Sequence, residues 1–176
     1  MVISPRFLRP LAAAALAFAA LPAAAAQVEV QAGRSYMDSH AANTVFVEGV
    51  FAEHPLGDSG LHWAPDASLG WIDGRDIGRY RHARYGTRDA IWLAAGGVRL
   101  TAGGPDDWYH HFFYSFQVAL HDGRTQALSS AYEFVNTVGW QWHHFSLQIR
   151  HISNGKLHEP NRGETMALVG VSFDLK

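Results

Sequence analysis

The sequence predicts an all-β fold, an eight-stranded antiparallel transmembrane β-barrel, and two observations carry this prediction. Polarity alternates along runs of about ten to fourteen residues, each ended by Gly, Pro, Asp or Asn, which is typical of strands and turns. There are eight such runs, and a closed membrane barrel needs an even number of strands near this length. The runs cover 27–36, 43–53, 61–73, 88–100, 107–121, 125–138, 140–153 and 164–175.

Residues 1–26 have the three parts of a signal peptide. Arg6 and Arg9 supply the positive charge, LAAAALAFAALP is the apolar stretch, and AAAAQ provides a small-residue cleavage site after Ala26. The apolar stretch is shorter than the roughly 20 residues of a membrane-spanning helix. Residues 27–176 are therefore predicted to form one exported domain, which would cross a membrane only as strands.

Composition disfavours two classes of function. The net charge is -2 and the Lys and Arg residues are dispersed, so nucleic-acid binding is disfavoured. The chain has no cysteine, so it forms neither disulfides nor thiolate metal sites. It has 11 histidines, but the adjacent pairs 110–111 and 143–144 point to opposite faces of a strand and do not chelate one ion together. We expect no metal and no cofactor.

The seventh run has the clearest alternation. One of its faces carries Phe145, Leu147 and Ile149, while the opposite face is polar. His151 and Ser153 lie on the apolar face, because residues two apart in a strand share a face. In a barrel whose termini lie in the periplasm, odd strands run outward, so this strand ends at the cell surface. The polar pair is thus predicted to face lipid near the outer leaflet.

The remaining segments predict the loops and the interior. Segments 74–87 and 154–163 are rich in Gly, Arg and Asn and are predicted to be extracellular loops. Tight turns are predicted around Gly139 and at HDGRT, residues 121–125. Glu48 and Glu133 are predicted to be interior charges that bind arginines across the lumen.

The pair His151 and Ser153 is competent for nucleophilic catalysis. A serine hydroxyl becomes a useful nucleophile when a neighbouring base takes its proton, and histidine, with an ordinary pKa of about 6.5, suits this role. Taken alone, an H-x-S pair on a strand is more typical of polar residues at a membrane interface than of a catalytic site.

Segment 150–165, RHISNGKLHEPNRGET, resembles the signature of the lipid A 3-O-deacylase (PagL) family: HISNG, a short spacer, and PNRG before a final strand. The resemblance implies an outer-membrane serine esterase that removes an ester-linked 3-hydroxyacyl chain from lipopolysaccharide. It implies that His151 is the general base and Ser153 the nucleophile. It also implies supporting roles for Asn154 and Asn161, the second in stabilising the oxyanion. Whether the barrel forms a homodimer stays open.

The chain departs from the family pattern at the acidic residue. The family acid lies fourteen residues after the histidine, where this chain has Thr165, with Glu164 one place earlier. Strict alternation turns Glu164 inward, but a bulge at the start of the last strand would turn it outward. We expect Glu164 to orient His151, with Glu159 or Thr165 itself as the alternatives.

Three other interpretations stay open at this point. The chain could be an inactive barrel of the same family with a structural or adhesive role, which the shifted acid favours. It could be a different lipid A enzyme, such as an acyltransferase. It could also be a soluble periplasmic β-domain, because a sandwich core accepts the same alternating strands.

Overall fold

Eight long antiparallel strands form a closed barrel in the computed structural model, which describes residues 27–175. Each strand pairs with its neighbours in chain order, and the last strand closes the barrel on the first. The predicted fold class is confirmed, while the predicted signal peptide lies outside the described residues. The strands are β1 (Gln27–Met37), β2 (His40–Val50), β3 (Leu61–Ile72), β4 (Ile91–Ala102), β5 (Phe112–His121), β6 (Tyr132–Trp142), β7 (Phe145–Ser153) and β8 (Glu164–Asp174).

Shorter elements join these strands at both ends of the barrel. A two-residue strand, His54–Pro55, pairs with the start of β3, and 3-10 helices cover Gly78–Tyr80 and Trp108–His111. The second helix takes residues that the sequence pattern had assigned to the fifth strand. Within residues 27–175, no helix is long and apolar enough to cross a membrane.

The turn predicted at Gly139 is wrong. Gly139 lies within β6, between Phe113 on β5 and Gln148 on β7. A Cβ atom built at Gly139 would lie 2.3 Å from the Phe113 ring, so the glycine makes room for a close aromatic neighbour. The chain reverses instead at His143, whose φ of 51° belongs to a tight turn.

The tight HDGRT turn is also wrong, because residues 122–131 form a loop and β6 begins only at Tyr132. This loop packs against the β7–β8 loop, where the Gly163 amide donates to the Ala127 carbonyl at 3.1 Å. Contact between the two loops thus replaces the strand pairing that the polarity pattern had favoured. The loops predicted at 74–87 and 154–163 are confirmed as segments between strands.

Ion pairs and hydrogen bonds fill the barrel interior. The Glu48 carboxylate accepts from Arg150 at 2.6 Å and from Arg99 at 2.9 Å, with all three side chains buried. The prediction for Glu48 is therefore confirmed. Glu133 is also interior, as predicted, but its predicted arginine partner is wrong: its carboxylate accepts from the Ser130 hydroxyl at 3.0 Å and lies 3.6 Å from the His121 imidazole.

The outer wall is apolar over most of its height. A soluble monomer rarely exposes so large a contiguous apolar surface, whereas a membrane barrel requires one. Trp92 lies toward one end of this wall, and Trp108 and Trp142 lie toward the other, an arrangement typical of interfacial aromatic girdles. The exposed aliphatic side chains include Val45, Val98, Val118, Leu120, Val138, Leu147, Ile149, Val169 and Val171.

Candidate active site

The end of β7 brings His151 and Ser153 to the outer wall. Ile152 between them is 0% exposed in the barrel interior, so alternation turns both of its neighbours outward. His151 is exposed and Ser153 is half-buried. Within residues 27–175, no hydrogen bond joins the two side chains, and they are brought together as successive outward positions of one strand.

Thr165 is the hydrogen-bond partner of the imidazole. β8 places Thr165 directly opposite His151, and 2.9 Å separate the imidazole Nδ1 from the threonine Oγ1. When Nδ1 carries the proton of the neutral ring, it donates to Oγ1 and leaves the Nε2 lone pair free. In that tautomer the contact with Thr165 leaves Nε2 as the basic nitrogen of the ring.

Glu164 does not orient His151, which corrects the expectation from the sequence. β8 keeps strict alternation without a bulge, so Glu164 points into the lumen and is 5% exposed. Its carboxylate accepts from Arg75 at 2.9 Å and also from the Ser35 hydroxyl. Glu164 thus fastens the β3–β4 loop to the barrel. The alternative acid Glu159 is exposed in its loop and makes no hydrogen bond to the described residues.

Gly163 lies against the free edge of the imidazole. It sits one position before the last β7–β8 pair, Ile152 with Glu164, and is therefore level with Ser153. A Cβ atom at Gly163 would lie 2.9 Å from His151 Cε1 and 3.3 Å from Nε2. The Nε2 edge thus points toward the end of the strand that carries the serine. The pattern PNRG contains this glycine, but only the fold relates it to the histidine.

Gly163→Ala is expected to reduce catalysis strongly without unfolding the barrel. The new methyl group would displace the His151 ring, and the φ of +68° is strained for any residue with a side chain, which costs about 1 kcal/mol. We expect the initial rate of ester hydrolysis to fall by about 100-fold, as a misplacement near 1 Å does. Gly155→Ala is the matched control, because that glycine also has positive φ (+64°) but has no atom of His151 nearby. Equal rates in the two variants would contradict a role of Gly163 in placing the ring.

The two asparagines that were expected to support the site are joined by a hydrogen bond. The backbone amide of Asn154 donates to Asn161 Oδ1 at 3.2 Å. The Asn154 side chain is 0% exposed and is used within its loop, where it donates to the His158 carbonyl and accepts from the Lys156 amide. Asn161 is half-buried, and its Nδ2 makes no hydrogen bond within residues 27–175. Asn154 therefore shapes the loop, while the Asn161 amide keeps its donors free.

Asp38 binds side chains from two loops at this end of the barrel. It lies in the β1–β2 turn and accepts from the Tyr80 hydroxyl at 2.7 Å, from Arg79 at 2.6 Å and from Arg162 at 2.9 Å. The Tyr80 hydrogen bond and the two guanidinium groups lower the pKa of Asp38 below its ordinary value, against a smaller opposing effect of burial. Arg162 directly precedes Gly163, so Asp38 also anchors the loop next to His151.

The lowered pKa of Asp38 predicts acid sensitivity of these loops. A carboxylate with a lowered folded-state pKa contributes stability above its unfolded pKa and loses it as the pH falls through the folded value. Asp38→Asn should therefore destabilise the barrel at pH 7 by at most about 1 kcal/mol, since the ion pairs are partly exposed. The difference in Tm between wild type and Asp38→Asn should shrink as the pH is lowered below about 4. A difference that grows on acidification would refute this assignment.

The histidines of the described residues do not form a metal centre. No group of three or more His, Asp or Glu side chains has the geometry to hold a metal ion within residues 27–175. Neither adjacent pair lies on a strand, contrary to the prediction: His110 and His111 end the second 3-10 helix, and His143 and His144 form the β6–β7 turn.

Comparisons with known proteins agree with this fold. The model of the family "Lipid A 3-O-deacylase (PagL)" matches residues 49–174, which include the whole of the segment 150–165. A solved structure, the crystal structure of the outer membrane enzyme PagL, superposes with a TM-score of 0.58 at 17% identity, covering 85% of this chain and 99% of that chain. At this identity it shows the shared fold. A search of the curated proteins finds no match. Because the family model covers most of the sequence, the chain belongs to the lipid A 3-O-deacylase (PagL) family.

Proposed function

We propose that this protein is a lipid A deacylase that hydrolyses an ester-linked 3-hydroxyacyl chain of lipopolysaccharide. The observation that carries the proposal is the His151 Nδ1 to Thr165 Oγ1 contact of 2.9 Å on the outer wall, with Ser153 at the next outward position. Membership of the family supplies the substrate class. A lipid substrate can reach a site on this wall without leaving the membrane.

In the proposed mechanism Ser153 is the nucleophile and His151 the general base. Ser153 Oγ attacks the ester carbonyl carbon while its proton passes to Nε2 of His151. The tetrahedral intermediate then breaks its bond to the sugar oxygen, which takes the proton back from Nε2. Water, deprotonated by the same nitrogen, attacks the acyl carbonyl carbon. The bond from that carbon to Ser153 Oγ then breaks, Oγ takes the proton from Nε2, and the fatty acid is released. Attack requires the Ser153 hydroxyl to rotate toward Nε2, on the side where Gly163 leaves space.

Asn161 is proposed to stabilise the negative charge that develops on the carbonyl oxygen. Its Oδ1 is held by the Asn154 backbone amide, so its Nδ2 donors have a defined direction. A fixed donor of this kind stabilises the oxyanion more than it stabilises the uncharged ester. Its loss typically costs about 100- to 1000-fold in kcat.

Thr165 acts in the place of the family acid. The Thr165 oxygen accepts a hydrogen bond from Nδ1, but because it is uncharged it does not offset the positive charge that His151 acquires during attack. We therefore propose a slower enzyme than one with a carboxylate at this position, in line with the partial activity that serine hydrolases retain without their acid.

The charges at the two ends of the barrel support an orientation with the β7 end outside the cell. The loops and turns at this end carry eight basic side chains within the described residues, at positions 75, 79, 81, 84, 88, 124, 156 and 162, against six acidic ones, at 38, 73, 76, 89, 122 and 159. The segments at the other end, 51–60, 103–111 and 143–144, contain no Lys or Arg and four acidic residues. Lipopolysaccharide is anionic, so the basic end fits the outer leaflet. We therefore propose that the site lies near the base of the acyl chains.

The direct test is incubation of the purified barrel with lipopolysaccharide, followed by mass spectrometry of lipid A. We expect a loss of mass equal to one 3-hydroxyacyl group and the appearance of the free 3-hydroxy fatty acid. An increase in mass would instead indicate acyl transfer and would refute the proposal.

A second candidate is a folded barrel of the same family without activity. Thr165 in place of the acid and the lumenal position of Glu164 favour it. This candidate predicts unchanged lipid A mass with a barrel that is fully folded. The two candidates also differ in how they respond to a carboxylate introduced at position 165.

A further inference from the structure

A polar side chain on β6 faces His151 from the side opposite to Thr165. Asn136 is paired with His151 across the β6–β7 ladder and lies on the outer wall, half-buried. Its outward neighbours along β6 are Phe134 and Val138, and Val138 is 59% exposed. An asparagine in such an apolar strip needs polar partners, because polar groups left unpaired in hydrocarbon are costly.

Only part of that requirement is met by the protein. The Tyr114 hydroxyl donates to Asn136 Oδ1 at 2.7 Å across the β5–β6 ladder. This bond fixes the amide plane and occupies its acceptor. Within residues 27–175, Asn136 Nδ2 has no hydrogen-bond partner, so its two N–H groups remain available to a ligand at the outer wall.

We propose that Asn136, held by Tyr114, binds the 3-hydroxyl of the acyl chain that is removed and makes the site selective for 3-hydroxyacyl over plain acyl esters. This inference rests on the proposed function and adds to it the residue that recognises the chain. The hydroxyl is the first polar group of the chain after the ester carbonyl, two carbon atoms away.

The register places Asn136 where that hydroxyl would lie. Ser153 is paired with Phe134, so Asn136, the next residue of β6 that faces the outer wall, is its diagonal neighbour. Asn136 lies closer to the middle of the membrane than Ser153, at about 7–8 Å between the two backbones. A chain whose carbonyl lies at Ser153 and whose tail follows the apolar wall over Val138 and Ile149 passes Asn136 first. The Asn136 Nδ2 then donates to the hydroxyl oxygen.

The test measures binding separately from turnover. Ser153→Ala protein in detergent micelles is titrated with two matched synthetic glucosamine lipids, one ester-linked to a 3-hydroxyacyl chain and one to the plain acyl chain of equal length, and Kd is read by native mass spectrometry. We expect the hydroxylated lipid to bind about tenfold more tightly, the range of one hydrogen bond. Adding Asn136→Leu should remove this preference without weakening binding of the plain lipid. Tyr114→Phe, which frees the Asn136 amide to rotate, should reduce the preference about threefold.

Asn43→Leu is the matched control. Asn43 is also an exposed, outward asparagine whose Oδ1 accepts from a neighbouring side chain, that of Arg34, but it lies on β2, three strands from His151. Its substitution should leave the tenfold preference intact. Equal Kd values for the two lipids in Ser153→Ala, or an equal loss for both lipids in Asn136→Leu, would overturn the inference. Because Ser153→Ala is inactive by design, these outcomes are distinct from a failure of wild type to hydrolyse either lipid, which would overturn the proposed function alone.

Discussion

Ser153→Ala is expected to abolish release of the 3-hydroxy fatty acid while the barrel remains folded. The change removes the attacking oxygen, and loss of the nucleophile in serine hydrolases costs about 10⁶-fold in kcat. The fold should be unaffected, because no hydrogen bond within residues 27–175 depends on the Ser153 hydroxyl. The measurement is lipid A mass after incubation, with heat-modifiable gel mobility as the check on folding.

His151→Ala should be as inactive as Ser153→Ala, since the two side chains act as one unit. The effects should not add in the double variant, which is expected to be no slower than either single variant. The matched controls are Ser59→Ala and His144→Ala, two exposed residues at the opposite end of the barrel. Normal fatty-acid release by either site variant, with both controls unchanged, would refute the assignment of these two residues.

Thr165→Glu is expected to raise the rate of fatty-acid release by about 100- to 10000-fold, the range attributed to the acid of a catalytic triad. β8 holds position 165 directly opposite His151, so a carboxylate there can accept a hydrogen bond from Nδ1 and offset the charge on the ring. The change should therefore act on kcat more than on KM, because the charge on His151 develops only during attack. The measurement is the initial rate of 3-hydroxy fatty acid release from lipopolysaccharide.

Glu164→Gln tests whether Glu164 or Thr165 orients His151. If Glu164 oriented His151, its amide variant would lose most activity; we expect a change of less than a few-fold in the rate per folded molecule. The loss of the Arg75 ion pair should instead lower the thermal stability of the barrel, since both side chains are less than a tenth exposed.

A Thr165→Glu variant no faster than wild type would contradict the view that Thr165 limits catalysis. A Thr165→Glu barrel that gains activity where wild type has none would identify the natural protein as the inactive form.

Strand patterning alone predicted the fold and the facing of the reactive pair. In β7 the apolar residues Phe145, Leu147 and Ile149 alternate without error, so the outward direction of His151 and Ser153 followed from period two. The same rule predicted the inward direction of Glu164, which a supposed bulge had overridden. The errors arose because glycine and small polar residues occur both in turns and within strands. Gly139, for example, makes room for the Phe113 ring instead of forming a turn.

Polarity along each strand was thus enough to predict an antiparallel β fold, the number of its strands and the face on which His151 and Ser153 lie. The neighbours across the ladders were decided only by the tertiary structure: Thr165 on Nδ1, Gly163 against the ring edge and Asn136 on the other side. The physical reason is that alternation is a property of one strand, whereas register depends on turns, loops and side-chain packing between strands. A shift of the register by one residue would leave the polarity pattern of each strand unchanged, but it would replace every partner of the His151 imidazole.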